Sequence, residues 1–169
     1  MVPKKLAIII NGKPGVGKDT LCDAVIARGR ARKASSIDPI AQAAKILDWD
    51  GVKDARARKF LSDLKRLSAQ FNDWPNRYLQ KAYQDLPENE ILFVHIREQD
   101  QIEAFRKAVG DNCAALLITR PGMDGEMGNA SDDEVEGIAY DYTYCNDKPL
   151  DQAGEDFCVF IDRVLGNGE

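Results

Sequence analysis

The sequence predicts an α/β fold built on a parallel sheet, and three observations lead there. Short apolar runs alternate with helix-period patterns along the whole chain, as strands and crossover helices do. The first run, Lys5 to Asn11, passes directly into the glycine-rich Gly12 to Thr20 and then into a helical pattern. The runs Ile91 to Ile96 and Cys113 to Thr119 are apolar without alternation, so each is expected to be buried on both faces, as parallel strands are.

Taken in order, the β-branched Lys5 to Asn11 is the first strand, and Asp19 to Arg28 is a helix with Leu21, Ala24 and Val25 along one side. Lys33 to Ile37 is a weaker strand. Asp38 is placed to cap the next helix, Ile40 to Leu47, with Pro39 at its first position. A longer helix is expected from Lys53 to Phe71, with Phe60, Leu64, Leu67 and Phe71 on one apolar stripe. Asn72 to Pro75 breaks it, and Asn76 to Leu86 forms another. After the strand Ile91 to Ile96, Gln99 to Val109 is helical and Cys113 to Thr119 is a strand. Pro121 to Gly137 is polar, acidic and aperiodic, a loop long enough to be functional. Tyr140 to Cys145 is the last strand, and Leu150 to Leu165 closes the chain as a helix.

Length and composition exclude several classes. The chain has 169 residues, enough for one domain with a real core, and its 44% hydrophobic and 30% charged content is that of a globular protein. A net charge of −5 argues against nucleic acid or an anionic membrane as partner, while leaving room for a local basic site. No apolar run approaches the roughly 20 residues of a membrane span. The four cysteines lack zinc or redox spacing and three sit in apolar segments, so a reducing, cytoplasmic setting is expected. A monomer or a homodimer is compatible with these features.

The chemistry is expected where the strands end. Gly12, Gly15 and Gly17 let the backbone turn with positive φ and approach an anion closely. Their amides, the helix start and the charge of Lys18 make an anion cradle. The spacing is that of G-x-x-x-x-G-K-[ST], with Asp19 at the last position and Thr20 one later. Candidate contacts to a polyphosphate are therefore Gly12, Lys13, Gly15, Val16, Gly17, Lys18, Asp19 and Thr20. In an open parallel sheet ligands sit beyond the carboxyl ends of the strands. That rule brings Asp38, His95 to Glu98, Arg120, Asn146 and Lys148 to the same mouth. Asp38 either caps its helix or acts as a catalytic carboxylate. Arg97 is placed for bidentate phosphate contact, with a salt bridge to Glu98 or Glu103 as the alternative. Arg120 reaches a phosphate, stacks on a base, or solvates the loop root. His95, the one histidine, reads as a core residue unless it lies at the strand mouth. Among the basic residues of the long helix, Arg56 falls beside the Phe60 and Leu64 stripe, while Arg58 and Lys65 point away from it. Asp19 replaces a hydroxyl that normally ligates Mg²⁺, and it is the candidate metal ligand.

These motifs resemble the P-loop nucleoside monophosphate kinases, most of all their deoxynucleoside monophosphate kinase and phosphomevalonate kinase branch. The G-K-D-T of Gly17 to Thr20 is the most specific link. Val94 to Ile102 is similar to that branch's V-x-D-x-R-x-x-x-E pattern, with Arg97 as the arginine and His95 in place of the aspartate. Gly128 to Asp132 resembles a lid element, Tyr140 to Asp147 the last strand and base-flanking turn, and Arg58 to Leu61 an element of the acceptor-binding helices. The resemblance implies a three-layer P-loop NTPase fold with a five-stranded parallel sheet in one domain. A helical acceptor-binding insert would span about 38–86 and a lid about 120–139. It implies transfer of the γ-phosphoryl of ATP, with Mg²⁺, to a nucleoside or deoxynucleoside monophosphate. Lys18, Asp19, Arg97 and Arg120 would be catalytic, and Asp38, Arg56 or Arg58, and Arg97 would hold the acceptor. The family pattern favours Arg58 where the helical wheel favours Arg56. One departure stands out: Pro121 to Ala139 contains no Lys or Arg, so Lys13 and Arg120 would have to supply charge that lid arginines supply elsewhere. Two alternatives remain: a P-loop kinase of another phosphorylated or hydroxyl metabolite, with Asp38 as base, or a catalytically weak nucleotide-binding regulatory module.

Overall fold

The computed structural model describes residues 5–123 and 137–166. Five strands form one fully parallel sheet in the order β2-β3-β1-β4-β5: β1 is Lys5–Asn11, β2 Ala31–Ser35, β3 Glu90–His95, β4 Cys113–Thr119 and β5 Tyr142–Cys145. The helices are α1 (Lys18–Ala27), α2 (Asp38–Ile46), α3 (Ala55–Asn72), α4 (Trp74–Gln84), α5 (Gln99–Val109) and α6 (Leu150–Val164). The three-layer architecture with a five-stranded parallel sheet is as the sequence predicts.

β1 occupies the centre because Ile8, Ile9 and Ile10 are β-branched and apolar on both faces. It pairs with β3 (Ile8↔Phe93) on one side and with β4 (Ile9↔Ala115) on the other. Its alternate side chains divide the core. Leu6, Ile8 and Ile10 join Leu21, Val25, Phe157 and Ile161 beneath α1 and α6, and Ala7 and Ile9 join Leu79, Ile102 and Phe105 beneath α4 and α5. Phe157 is fully buried, with ring centroids 5.0 Å from Tyr144 and 6.0 Å from Phe160. Gly154 lets α6 press on α1, since a Cβ there would stand 2.9 Å from that of Ala24.

Several boundaries differ from expectation for local reasons. β2 lies two residues earlier than predicted, because Ala31 and Ala34 are its buried positions and Arg32 and Lys33 its exposed ones. β5 begins at Tyr142 rather than Tyr140. The Asp54 carboxylate accepts from the Ala57 amide at 2.7 Å and caps α3, leaving Lys53 ahead of the helix. Asp38 is the first helical residue of α2 rather than its cap. The cap is Ile37, and the Asp38 carboxylate reaches back to accept from the Ser35 amide at 2.8 Å, closing the turn after β2.

The largest departure is in α3, one of three helices inserted between β2 and β3. The stripe expected to face inward is largely in solvent, with Phe60, Leu67 and Phe71 exposed by 38%, 53% and 86%. The buried residue is Leu61, which packs with Ile40 and Ala44 of α2. The inward face is therefore turned from the predicted one, with Leu64, partly buried beside Leu61, at the edge the two share. Most of the expected lid, including Gly128 to Asp132, lies outside the described residues.

Replacing Phe157 with Ala empties the centre of the α1–α6 layer. An increase of about 3–5 kcal/mol in the ease of unfolding is expected, measured as a lower denaturant midpoint at unchanged slope. A midpoint like that of the parent would refute this placement of the core.

Candidate active site

The carboxyl ends of the strands meet at one edge, and the Gly12–Thr20 loop lies there between β1 and α1. Three glycines shape it for separate reasons. A Cβ on Gly12 would stand 2.5 Å from the Ile118 carbonyl oxygen, a backbone atom of β4 that cannot move aside. Gly15 and Gly17 have φ of +84° and +93°, where side chains are strained. Gly17 caps α1, and its carbonyl accepts the Leu21 amide at 3.0 Å. Lys18 folds inward over the loop. Its Nζ donates to the Gly12 carbonyl at 2.6 Å and reaches that of Lys13 at 3.5 Å.

The loop is held from a second strand as well. Asn146, just beyond β5, is buried; its amide donates to the Thr119 carbonyl at 2.8 Å, and its Nδ2 donates to the Val16 carbonyl at 2.8 Å. Sequence reasoning put both Asn146 and Val16 among the nucleotide contacts. The structure shows them fastening the loop to the sheet. Met123 touches the loop from below, 3.0 Å from where a Gly15 Cβ would lie.

Beside the loop a cleft of about 590 Å³ opens between the sheet edge and the inserted helices. Asp19, Asp38 and Arg97 line it, as expected for residues at strand mouths. Glu98 lines it too, as its place after β3 predicts, and so do Lys33, Lys53 and Lys65, which sequence reasoning did not single out as site residues. The predicted stripe turns Lys65 outward, but it lies one turn beyond Leu61 and so shares the inward face. Its Nζ is 2.7 Å from Glu98 Oε1. Arg56, favoured by a stripe that is not the buried one, and Arg58, favoured by the family pattern, are both exposed and do not line the cleft. Arg120 is exposed just after β4, Lys148 is exposed and 3.7 Å from Asp147, and Thr20 is exposed on the first turn of α1.

Charge in the cleft is mixed. Lys33 Nζ is 2.7 Å from Asp23 and 3.9 Å from Asp19. Burial pushes the Glu98 carboxyl up, but the hydrogen bond and charge of Lys65 outweigh it and hold the group below the ordinary range. Glu98 is therefore ionised and can only accept. Its Oε2 is turned inward, and the backbone amides of Arg97 and Glu98 also help hold the carboxylate ionised, whereas His95 Nε2 is buried with no hydrogen-bond partner. His95 does sit at the strand mouth, lining the cleft, and burial lowers its pKa so that the imidazole is neutral at pH 7. Nothing at this edge offers a rich metal centre. Among the described residues no three His, Cys, Asp or Glu side chains gather as ligands. A lone carboxylate beside a phosphate cradle still suits Mg²⁺, which keeps several waters and takes one or two carboxylates plus phosphate oxygens.

No protein-family model matches the chain, and no curated protein matches it in sequence. Solved structures do match its fold. A dephospho-CoA kinase from Campylobacter jejuni aligns with a TM-score of 0.57 at 15% identity, over 96% of this chain and 98% of that one. A gluconokinase from Sinorhizobium meliloti aligns at 0.53 and 12% identity, over 98% and 96%. A shikimate kinase from Aquifex aeolicus aligns at 0.53 and 11% identity, over 96% and 100%. At such identities these alignments show a common fold. Among the described residues no helix is long and apolar enough to cross a membrane.

Gly12→Ala should destabilise the chain, because its Cβ can be accommodated only by parting β1 from β4. The check is a lower melting temperature than the parent's. An unchanged melting temperature would refute the loop geometry. His95 supplies a pH test. Its folded pKa lies below the unfolded value of 6.5, so the unfolded chain binds the extra proton first. Stability is therefore complete above pH 6.5 and falls as acid carries the pH toward the folded value. His95→Gln should flatten that segment of the stability–pH curve, measured by denaturant unfolding across the acid range. An unchanged slope would contradict burial of the neutral ring.

Proposed function

We propose that this chain transfers the γ-phosphoryl group of ATP to a small anionic acceptor. The observation that carries the reading is a glycine-shaped loop with Lys18 folded over it, opening directly beside a cleft that holds Arg97. A polyphosphate entering the loop would meet its amides and the α1 N-terminus and draw the Lys18 ammonium off the loop carbonyls. Asp19 would hold Mg²⁺, whose contribution is to neutralise charge on the phosphate oxygens. Arg97 would grip the acceptor's oxyanion and align it with the donor. The similar structures are named as kinases, which supports the reaction class.

A nucleoside or deoxynucleoside monophosphate is the acceptor favoured by the sequence resemblance. Its phosphate is already ionised near pH 7 and needs no strong base. A second reading, a hydroxyl acceptor, is favoured by the position of Asp38, whose carboxylate lines the cleft at the mouth of β2. There it would take the hydroxyl proton as the bond to phosphorus forms. The assignments of Arg120 and Lys148 to nucleotide contact belong to the same proposal and rest on their places after the strand ends, and that of the lid rests on the resemblance.

Two variants test it. Lys18→Ala should lower kcat by ~10²–10³-fold in a coupled ADP-release assay, since it removes the charge nearest the transferring group. Asp38→Asn should cost ~10²–10⁴-fold with a hydroxyl acceptor and far less with a monophosphate. ATP binding without turnover on any monophosphate, sugar or hydroxy acid would overturn the kinase reading in favour of a nucleotide-binding regulatory module.

A further inference from the structure

The apolar stripe of α3 that misses the interior is left largely to solvent. Phe60, Leu67 and Phe71 are exposed, Leu64 is partly buried, and Trp74 continues the line as the exposed first residue of α4. Single apolar side chains on a surface need no explanation, but these recur at spacings of four, three, four and three residues. On a helix that spacing makes one continuous side, the seam that a second helix packs against. The exposed parts amount to roughly 400 Å² of apolar surface, about half of what each partner contributes to a standard protein interface.

The stripe fits a copy of itself. Phe60, Leu64, Leu67 and Phe71 read the same forward and backward, in residue type and in spacing. A two-fold axis requires that property, because in an isologous contact residue i meets j and j meets i. An antiparallel copy brings Phe60 to the partner's Phe71 and Leu64 to the partner's Leu67. Charge agrees with that direction. The first turn of α3 holds Arg56 and Arg58 with no acid, and its last turn holds no base, against the helix's own dipole. Arg56 stands beside the stripe one turn before Phe60. Antiparallel pairing sets it by the C-terminal carbonyls of the other α3 and the partner's Asp73, whereas parallel pairing would crowd the arginine-bearing ends together.

We propose that two copies of this chain associate through antiparallel α3 helices, with Phe60 and Leu64 of each packed on the partner's Phe71 and the partner's Leu67. This association stands apart from the kinase reading. It does bear on the cleft, because the other side of α3 carries Leu61 and Lys65. The insert is then held from within by Leu61 and the Lys65–Glu98 pair and from without by the second copy.

The test is analytical ultracentrifugation of the full chain, which should sediment as a dimer that dissociates on dilution. Phe60→Lys and Phe71→Glu should each weaken association by about 30-fold or more, since buried aromatic anchors carry most of the energy of an interface. Both side chains reach solvent in the single chain, so each variant should keep the parent's far-ultraviolet circular dichroism. Mixing the two variants should restore a heterodimer. Antiparallel pairing then sets the new cation against the new anion in one layer and leaves Phe60 on the partner's Phe71 in the other. Parallel pairing gives no such rescue. The proposal is overturned if the parent is monomeric at every concentration, if either variant associates like the parent, or if the mixture stays monomeric. A monomeric parent that binds phosphatidylserine vesicles, and loses them with Phe71→Glu, would assign the stripe to a membrane surface instead.

Discussion

The closeness of Gly12 to the Ile118 carbonyl governs the geometry of the site. Two backbone segments meet where no side-chain carbon fits, so β1 must exit its strand pressed against β4. Asn146 adds a second fastening from β5 through the Val16 carbonyl. The loop is thereby fixed from the β4–β5 half of the sheet, and it needs little from the other half. The β2–β3 half is then available for a different task, and its strand ends carry Asp38, His95, Arg97 and Glu98 into the cleft. Sheet order thus separates the Gly12–Thr20 loop from an adjacent, chemically richer pocket, with β1 as the boundary.

The electrostatics follow the same division. The chain carries a net charge of −5, yet Lys18, Lys33, Lys53, Lys65 and Arg97 gather at this one edge. Clustered cations in a cleft with low-dielectric walls concentrate field, and an acidic remainder discourages polyanions from settling elsewhere. Each cation whose contacts are described has a local counterweight that keeps it in place: loop carbonyls for Lys18, Asp23 and Asp19 for Lys33, and Glu98 for Lys65.

The fold and the cradle were readable because their signals are local. A β-branched run, three spaced glycines and a lysine specify strand, turn and helix start with no outside information, and the continuous runs at β3 and β4 declare two-sided burial. Asp38 and Arg97 could be placed by the rule for strand ends alone. The insert was harder for a definite reason. Periodicity shows that α3 has an apolar stripe but not that the body lies against it. Phe60, Leu64, Leu67 and Phe71 form the expected inward face, whereas Leu61 is the buried residue and only Leu64 of the stripe packs beside it. A shift of one residue turned the frame, moving Arg56 away from the cleft and Lys65 into it. Lys53 was hidden because the Asp54 cap, which sets the helix start, left it on the preceding segment. Glu98 and Asn146 gain their meaning from partners 33 and 130 residues away, a separation no motif encodes.

The lightly buried α3 has a thermodynamic consequence. A helix of 18 residues held by Leu61, a partly buried Leu64 and the Lys65–Glu98 pair buries little apolar surface beside the sheet and its covering helices. Its amides are guarded by their own i to i−4 bonds and a carboxylate cap more than by the interior. The molecule therefore has two tiers of folding free energy, and α3 can fray or reseat at modest cost while β1, α1 and the cradle between them stay intact.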